Sequence, residues 1–437
     1  MNAHKGLDYR LFPAKWQSNI KRIRKAGVYS VQEEQIMKEI QGGITAVQGV
    51  RAAGVECGIK KPGGHYAEMM DLALICCDEP AIAAGVFTTN KAKAAPVIVS
   101  QEHIRDGKAQ AIVANSGNPN ACTGEQGLRD ARKMAELVAG ELNIAPELVL
   151  MGETGRIGIL LPMDKVEKGI KMAAPKLSAD GGHQAARAIM TTDTFPKEAA
   201  VEFTLQDKTV RVGGMVKGAG MIEPNMATML CFMATDASIN RELLQEALKS
   251  AVDRSFNMIS IDGDMSTNDT AIILANGKAG NRRIEKKDDD YMAFCEALNS
   301  VTLSLAKMIV KDGEGATKFV ELRIKGAQSH DDAKTAAHDL ARSPLVKTAM
   351  FGEDNNWGRI MSSLGASGIE MDGATVDIWL DDLKIVENSV DSGCDEVHAK
   401  EIVKKSEYII TVDLKVGEAD ATMWTCDLSY EYIKCNI

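Results

Sequence analysis

Aromatic residues are scarce: Phe, Trp and Tyr make up 5% of the 437 residues. A surface that stacks bases needs such rings, and a net charge of −10 also argues against a nucleic-acid partner. No run of apolar residues approaches the ~18 needed to span a membrane, so no membrane partner is expected. The nine cysteines lack the short pairs of zinc or redox motifs, and only Cys76 and Cys77 are close in sequence. They read as reduced thiols in a cytosol-like compartment. The seven histidines are equally scattered; His65, His183, His330, His338 and His398 read as surface or loop residues. No metal is expected. What is present, 45% hydrophobic and 26% charged residues, is ordinary for a globular chain long enough for two or three domains.

Residues 1–41 differ from the rest. Up to Ser30 they hold seven basic residues (Lys5, Arg10, Lys15, Lys21, Arg22, Arg24 and Lys25) and one acid, Asp8. Such a start reads as a basic N-terminal extension docked on the body, or as an organelle transit peptide. Ser30-Val-Gln-Glu33 has the form of a capping box before a short helix. From Gly42 the pattern is α/β. Apolar runs at 72–77, 82–88, 111–114 and 148–151 have strand length, and spaced apolar residues over 128–142 mark a helix face. Runs at 201–205 and 210–215 flank a polar turn, as in a hairpin. From Lys318 the pattern predicts strand 319–324, helix 329–342, strand 346–351, helix 357–364, and strands at 376–380, 408–414 and 421–428. The division expected is a larger lobe over 42–317 and a smaller one over 318–437.

The chain is organised around Lys217-Gly-Ala-Gly-Met-Ile-Glu-Pro-Asn-Met-Ala-Thr-Met-Leu230. Gly218 and Gly220 relax the backbone, Pro224-Asn225 forces a turn, and 229–233 reads as a buried strand. Thr228 therefore stands where a turn enters the core, behind small Ala227. Attack of its hydroxyl on the Ala227 carbonyl would cut the chain and leave Thr228 with a free α-amine. That amine, with a pKa near ~8, can serve as base for the adjacent hydroxyl. The same residues also fit a Gly-rich turn feeding a strand. Thr154-Gly155 follows another strand, where a hydroxyl and a backbone N–H can share one developing oxyanion, although Glu153 and Arg156 put two charges beside it. Glu314, between Gly313 and Gly315 after a long helix over 289–310, reads as exposed and able to reach an amine.

The central stretch resembles the self-cleavage motif of the ornithine acetyltransferase family, also called glutamate N-acetyltransferase. The likeness runs from about Gly42 to Asn436. It includes Gly85-Val-Phe-Thr-Thr-Asn90, Asn115-Ser-Gly-Asn118, Thr191-Thr-Asp-Thr194, Asp262-Gly-Asp264, Ser266-Thr-Asn-Asp269, Asp312-Gly-Glu-Gly-Ala-Thr317 and Asn356-Trp-Gly-Arg359.

The resemblance implies an α/β fold of mixed sheets sandwiched by helices, shared with self-processing aminopeptidases. It implies cutting between Ala227 and Thr228 into chains 1–227 and 228–437, paired as an α2β2 heterotetramer in the cytoplasm, or in an organelle matrix if the N-terminal segment is a transit peptide. The reaction implied is ping-pong transfer of acetyl from N2-acetyl-L-ornithine to L-glutamate through acetyl-Thr228, with no cofactor beyond acetyl-CoA as a further co-substrate. Thr154 and Gly155 fall on the family's oxyanion hole, and Thr194, Lys217, Thr228, Glu314 and Asn436 on its substrate contacts. Family chains continue past the Asn of the final strand to a hydroxyl residue, so an altered affinity is expected here. Three alternatives stand beside it: a self-processing amidase or aminopeptidase, in which water replaces glutamate; a monofunctional as against a bifunctional enzyme that also accepts acetyl-CoA, between which the sequence does not decide; and an unprocessed small-molecule binder.

Overall fold

Alternating apolar residues along the strands, and apolar stripes along the helices, build two mixed sheets. The computed structural model describes residues 37–61, 66–223 and 229–437. The basic segment up to residue 36 with its capping box, His65, and residues 224–228 with the expected turn and cleavage site lie outside the described residues.

In chain order the strands are β1 (Lys38–Ile40), β2 (Val50–Val55), β3 (Leu72–Phe87), β4 (Lys108–Gly117), β5 (Val149–Gly155), β6 (Lys197–Leu205), β7 (Lys208–Lys217), β8 (Leu230–Thr235), β9 (Ile259–Ser260) and β10 (Thr270–Ala275). All but β9 form the first sheet, in the order β1-β6-β7-β8-β10-β3-β4-β5, with β2 pairing β3. The pairs β8–β10 and β4–β5 are parallel. β3 joins the two runs predicted as separate strands. Its pairing with β4 shifts register between Cys76 and Ala81, and this irregularity takes up exposed Asp78, Glu79 and Pro80 without a break in the strand. β2 pairs with its first half and β10 with its second.

The second sheet holds β11 (Phe319–Ala327), β12 (Asp377–Leu380), β13 (Leu383–Glu387), β14 (Val390–Asp391), β15 (Glu407–Asp413) and β16 (Ala419–Cys426), in the order β14-β13-β12-β15-β11-β16-β9. The helices are α1 (Ala95–His103), α2 (Gly124–Leu142), α3 (Met163–Ala173), α4 (Gly182–Ala188), α5 (Arg241–Arg254), α6 (Asp289–Lys311), α7 (His330–Arg342), α8 (Pro344–Phe351), α9 (Trp357–Ala366), α10 (Glu396–Lys404) and α11 (Tyr430–Cys435). α6 packs on β6 and β7 of one sheet and on β9 and β16 of the other. By length and composition it could cross a membrane, contrary to the expectation that no run would. Here Phe294, Leu298, Val301, Leu305 and Ile309 are buried in the core.

Two expectations at the C-terminal end are corrected. Residues 346–351 belong to helix α8, because the Ser343 side chain accepts the Val346 N–H and Pro344 occupies the first turn, where its missing donor costs nothing. Asn436 follows a helix, α11, rather than a strand; the Ser429 side chain caps its start.

The curl of the first sheet places the candidate site. β5 and β8 are not sheet neighbours, yet β5 lies against β8. Gly152 allows this: a Cβ there would meet the Phe232 ring at 2.6 Å and Leu230 at 3.3 Å. Two residues beyond Gly152, Thr154 is thereby brought to the start of β8.

Candidate active site

Thr154 is the penultimate residue of β5, in register with Ser116 of β4 and bridged to Asn118. It is inside the strand, not in a turn after it. Gly155 holds φ +140°, and a Cβ there would lie 2.3 Å from the Gly117 carbonyl carbon, so only glycine fits. Asn268 Nδ2 donates to the Glu153 carbonyl at 2.8 Å and to the Pro119 carbonyl at 2.7 Å, which fixes the peptide that carries Thr154.

The two flanking charges do not crowd the Thr154 hydroxyl. Strand alternation turns Glu153 the other way, into a buried polar pocket where it accepts from Asn115 Nδ2 at 2.6 Å and Asn120 Nδ2 at 3.4 Å. Burial pushes its carboxyl up to about 7, against the pull of those two amides. Arg156 is exposed.

Thr154 and Lys217 line one small, tight pocket with Met229, Leu230, Ser266, Asn268 and Asp269. Lys217 ends β7 opposite Leu230. Burial lowers its ammonium pKa, opposed by Asp193, Glu314 and Asp269. The downstream neighbour of Thr228 is held on both backbone groups: the Met229 N–H donates to Asp269 Oδ1 at 2.9 Å, and its carbonyl accepts from the Thr270 N–H at 3.0 Å.

Thr194, Glu314 and Asn436 do not line that cavity but approach Lys217 through an ionic frame. Lys197 Nζ donates to Asp193 Oδ1 at 2.6 Å and to Asp312 Oδ2 at 2.5 Å, and all three side chains are buried. Asp193 Oδ1 also accepts the Gly218 N–H at 2.8 Å, beside Lys217. Burial would push the Asp193 carboxyl up, but the Lys197 and Lys217 ammoniums hold it well below the ordinary range. Asp312 receives the Thr194 N–H at 3.0 Å and the Thr194 hydroxyl.

Glu314 is half-buried rather than exposed. Its N–H donates to the Ala219 carbonyl at 2.8 Å, and its Oε2 accepts from Asn436 Nδ2 at 2.8 Å. Its carboxyl lies against Gly220, where a Cβ would come within 2.4 Å of it. Ala227 and Thr228 lie outside the described residues.

Sequence reasoning about roles missed Asp193, Lys197, Asn268, Asp269 and Asp312. Each aspartate stood in a quoted motif. The usable signal was an acid directly before an apolar strand, as Asp269 precedes β10, since a buried carboxyl must find donors. Among the described residues, no group of three or more His, Cys, Asp and Glu is placed to hold a metal.

A hydroxyl and a glycine at a strand end, an adjacent buried cation and a clamped strand start suit acyl transfer to and from a residue just before Met229. Comparison with known proteins agrees in kind. The family model described as the ArgJ family matches residues 51–437.

The chain belongs to the ArgJ family.

It is similar to the arginine biosynthesis bifunctional protein ArgJ of Symbiobacterium thermophilum, 52% identical over 92% of this chain and 99% of the relative. The protein of the same name from Caldanaerobacter subterraneus is 50% identical over 92% of this chain and 99% of the relative. Among solved structures, the ornithine acetyltransferase of Mycobacterium tuberculosis complexed with ornithine is 38% identical, covering 45% of this chain and all of that one, with a TM-score of 0.40.

Proposed function

We propose that this member of the ArgJ family transfers acetyl from N2-acetyl-L-ornithine to L-glutamate through an acetylated Thr228. Membership of the family makes the chain an acyltransferase of arginine biosynthesis. The observation that carries the mechanism is the cavity shared by Thr154, Lys217 and Met229, the residue bonded to Thr228.

In the first event Thr228 Oγ attacks the Ala227 carbonyl. The C–N bond breaks, an ester forms, and the hydroxyl proton passes to the Thr228 nitrogen, which becomes an amine. Water then hydrolyses the ester, leaving chains 1–227 and 228–437. In turnover the free α-amine of Thr228 takes the hydroxyl proton as Oγ attacks the acetyl carbon. Thr154 and the Gly155 N–H stabilise the oxyanion, each such donor being worth about 3–4 kcal/mol. The amine returns the proton to the departing ornithine nitrogen. Glutamate's neutral amine then attacks the acetyl carbon of acetyl-Thr228, the C–Oγ bond breaks, and the α-amine of Thr228 passes the proton lost by glutamate's nitrogen to Oγ. Lys217 supplies a cation for a substrate carboxylate and Glu314 an anion for an amine, with Thr194 and Asn436 beside them.

We include in this reading acetyl-CoA as a second acetyl donor, since the relatives are named bifunctional; no resident cofactor; an α2β2 assembly in the cytoplasm; and lobes over 42–317 and 318–437. Denaturing electrophoresis of the purified protein should show two near-equal fragments, and Thr228→Ala a single inactive band. Acetylornithine turnover should require glutamate. Hydrolysis at the same rate without glutamate points to an amidase instead, and an uncut protein that still transfers acetyl rules out the α-amine as base.

A further inference from the structure

The proposed transfer poses a charge problem. Donor and acceptor share an α-carboxylate, which Lys217 suits, but their side chains end oppositely, ornithine in an ammonium and glutamate in a carboxylate. Glu314 suits the ammonium and repels the carboxylate. A site that takes both amino acids in turn needs a second cation near Lys217, one that no acid of the protein already neutralises.

Lys60 fits that description. It is 2% exposed, and its stem lies against the ends of β4 and β5. Gly117 makes room for it: a Cβ there would come within 3.1 Å of Lys60 Cγ, and Gly117 is in register with Gly155. Lys60 Nζ donates to the Glu68 and Met70 carbonyls, each at 2.7 Å, and stands 5.4 Å from the centre of the Tyr66 ring. Two of its three donors are thus used on neutral oxygens, and one remains.

The acids around Lys60 are engaged elsewhere. Asp71 accepts the backbone N–H groups of Cys57, Gly58, Ile59 and Lys60. Glu68 accepts from Arg187 Nε at 2.6 Å and from the Met70 N–H at 2.9 Å. Asp193 is taken by Lys197 and the Gly218 N–H. Lys197 itself is already neutralised between Asp193 and Asp312. Burial lowers the Lys60 pKa to about 8, opposed by Asp71, Glu68 and Asp193 and aided by repulsion from Lys217. The group therefore stays charged at neutral pH. A buried ammonium with no carboxylate in contact is costly to keep unless an anion reaches it.

We propose that Lys60 is the residue that admits the acceptor: its free N–H receives the side-chain carboxylate of glutamate, a group that acetylornithine lacks. Lys217 then serves the α-carboxylate common to both substrates, and Glu314 the ammonium of ornithine alone. This deepens the reading of the chain as an acetylornithine–glutamate transferase and rests on it.

The test compares glutamate with glutamine as acceptor, since the two differ in charge only at the side-chain end. The wild type should favour glutamate by about 10- to 100-fold in kcat/KM, the range of one hydrogen bond between charged groups. Lys60→Gln keeps an amide donor for one of the two carbonyls and loses the charge. In that variant the preference should vanish through a higher KM for glutamate, with the KM for acetylornithine within about twofold of wild type. A variant that keeps the preference, or in which both KM values rise together, overturns the proposal and leaves Lys60 a brace for residues 66–70. If Lys60→Gln does not fold, Lys60→Arg decides: a folded Arg variant that retains the preference supports a need for the charge, and one that loses it overturns the proposal. A wild type that uses the two acceptors equally overturns the proposal alone. A wild type that passes acetyl to neither defeats the transferase reading and the proposal with it.

Discussion

The two sides of the proposed cut are held in different ways. Downstream, β8 is a central strand, laddered antiparallel to β7 and parallel to β10, and every residue from Leu230 to Thr235 is buried. Upstream, the chain between Lys217 and Glu223 is held largely by carboxylates from distant segments. Asp193 accepts the Gly218 N–H, and Asp262 accepts those of Met221 at 2.6 Å and Ile222 at 2.9 Å. Glu223 is buried against the Ser260 hydroxyl at 2.6 Å and His338 at 3.4 Å. The difference suits a chain that is to be cut here. The side that keeps the nucleophile is locked by backbone pairing and apolar packing, so its position survives the cut. The upstream side has no strand ladder: beside these carboxylates it is held by two backbone bonds, Glu314 N–H to the Ala219 carbonyl at 2.8 Å and Ile261 N–H to the Ile222 carbonyl at 2.9 Å, and by the burial of Ala219 and Ile222.

This contrast can be broken by mutation on each side. The largest effect is expected downstream. Phe232→Ala should cost about 3–5 kcal/mol, because the ring is fully buried and packs where Gly152 makes room for it. Chemical denaturation should show that loss, while the molecules that do fold should still be cut. Upstream, Asp262→Ala frees three backbone N–H groups, those of Met221, Ile222 and Asp264, and the Tyr432 hydroxyl that donates to Asp262 at 3.3 Å. It should slow the appearance of the two fragments in a time course of freshly made protein, each freed buried donor costing about 1–3 kcal/mol. Cutting at the wild-type rate in Asp262→Ala, or an uncut but stable Phe232→Ala, would reverse the assignment of the two sides.

The effect confined to a pH window concerns the strand that carries the proposed oxyanion donors. Glu153 has a folded-state pKa pushed up to about 7 by burial, above its ordinary value of 4.5. A carboxyl whose pKa is higher in the folded state binds its proton more tightly there. Its contribution to stability is present at low pH and is lost as pH rises from the ordinary range to about 7, by up to about 3 kcal/mol. Glu153→Gln should therefore flatten the fall in stability between pH 5 and pH 8. Parallel denaturation curves for the two proteins across that range would contradict the buried-acid account.

How far the site could be read from the sequence follows the same division. The stretch from Lys217 to Leu230 and the Thr154-Gly155 pair drew notice through local features, glycines and a hydroxyl at a strand end, which fit a plain turn as well; the roles expected of them came from the family resemblance. The α/β class was legible from apolar periodicity. The ionic frame was not, because Lys197 and Asp312 are 115 residues apart in sequence and meet only once α6 has packed on β6. Nor was the approach of β5 to β8, which depends on the missing side chain of Gly152 and has no periodic signature. The helix at 344–351 was missed because a short apolar run looks alike in strand and helix; Ser343 and Pro344 were the clues.

The most direct test of Thr228 as the acetyl carrier is intact-mass measurement of the wild-type protein mixed with acetylornithine in the absence of glutamate. The account predicts two fragments, with one acetyl group added to the 228–437 chain and mapped to the Thr228 side chain, and its loss when glutamate is supplied. A catalytically active protein that shows no acetylated 228–437 chain under these conditions, or carries the acetyl on another residue, would contradict it.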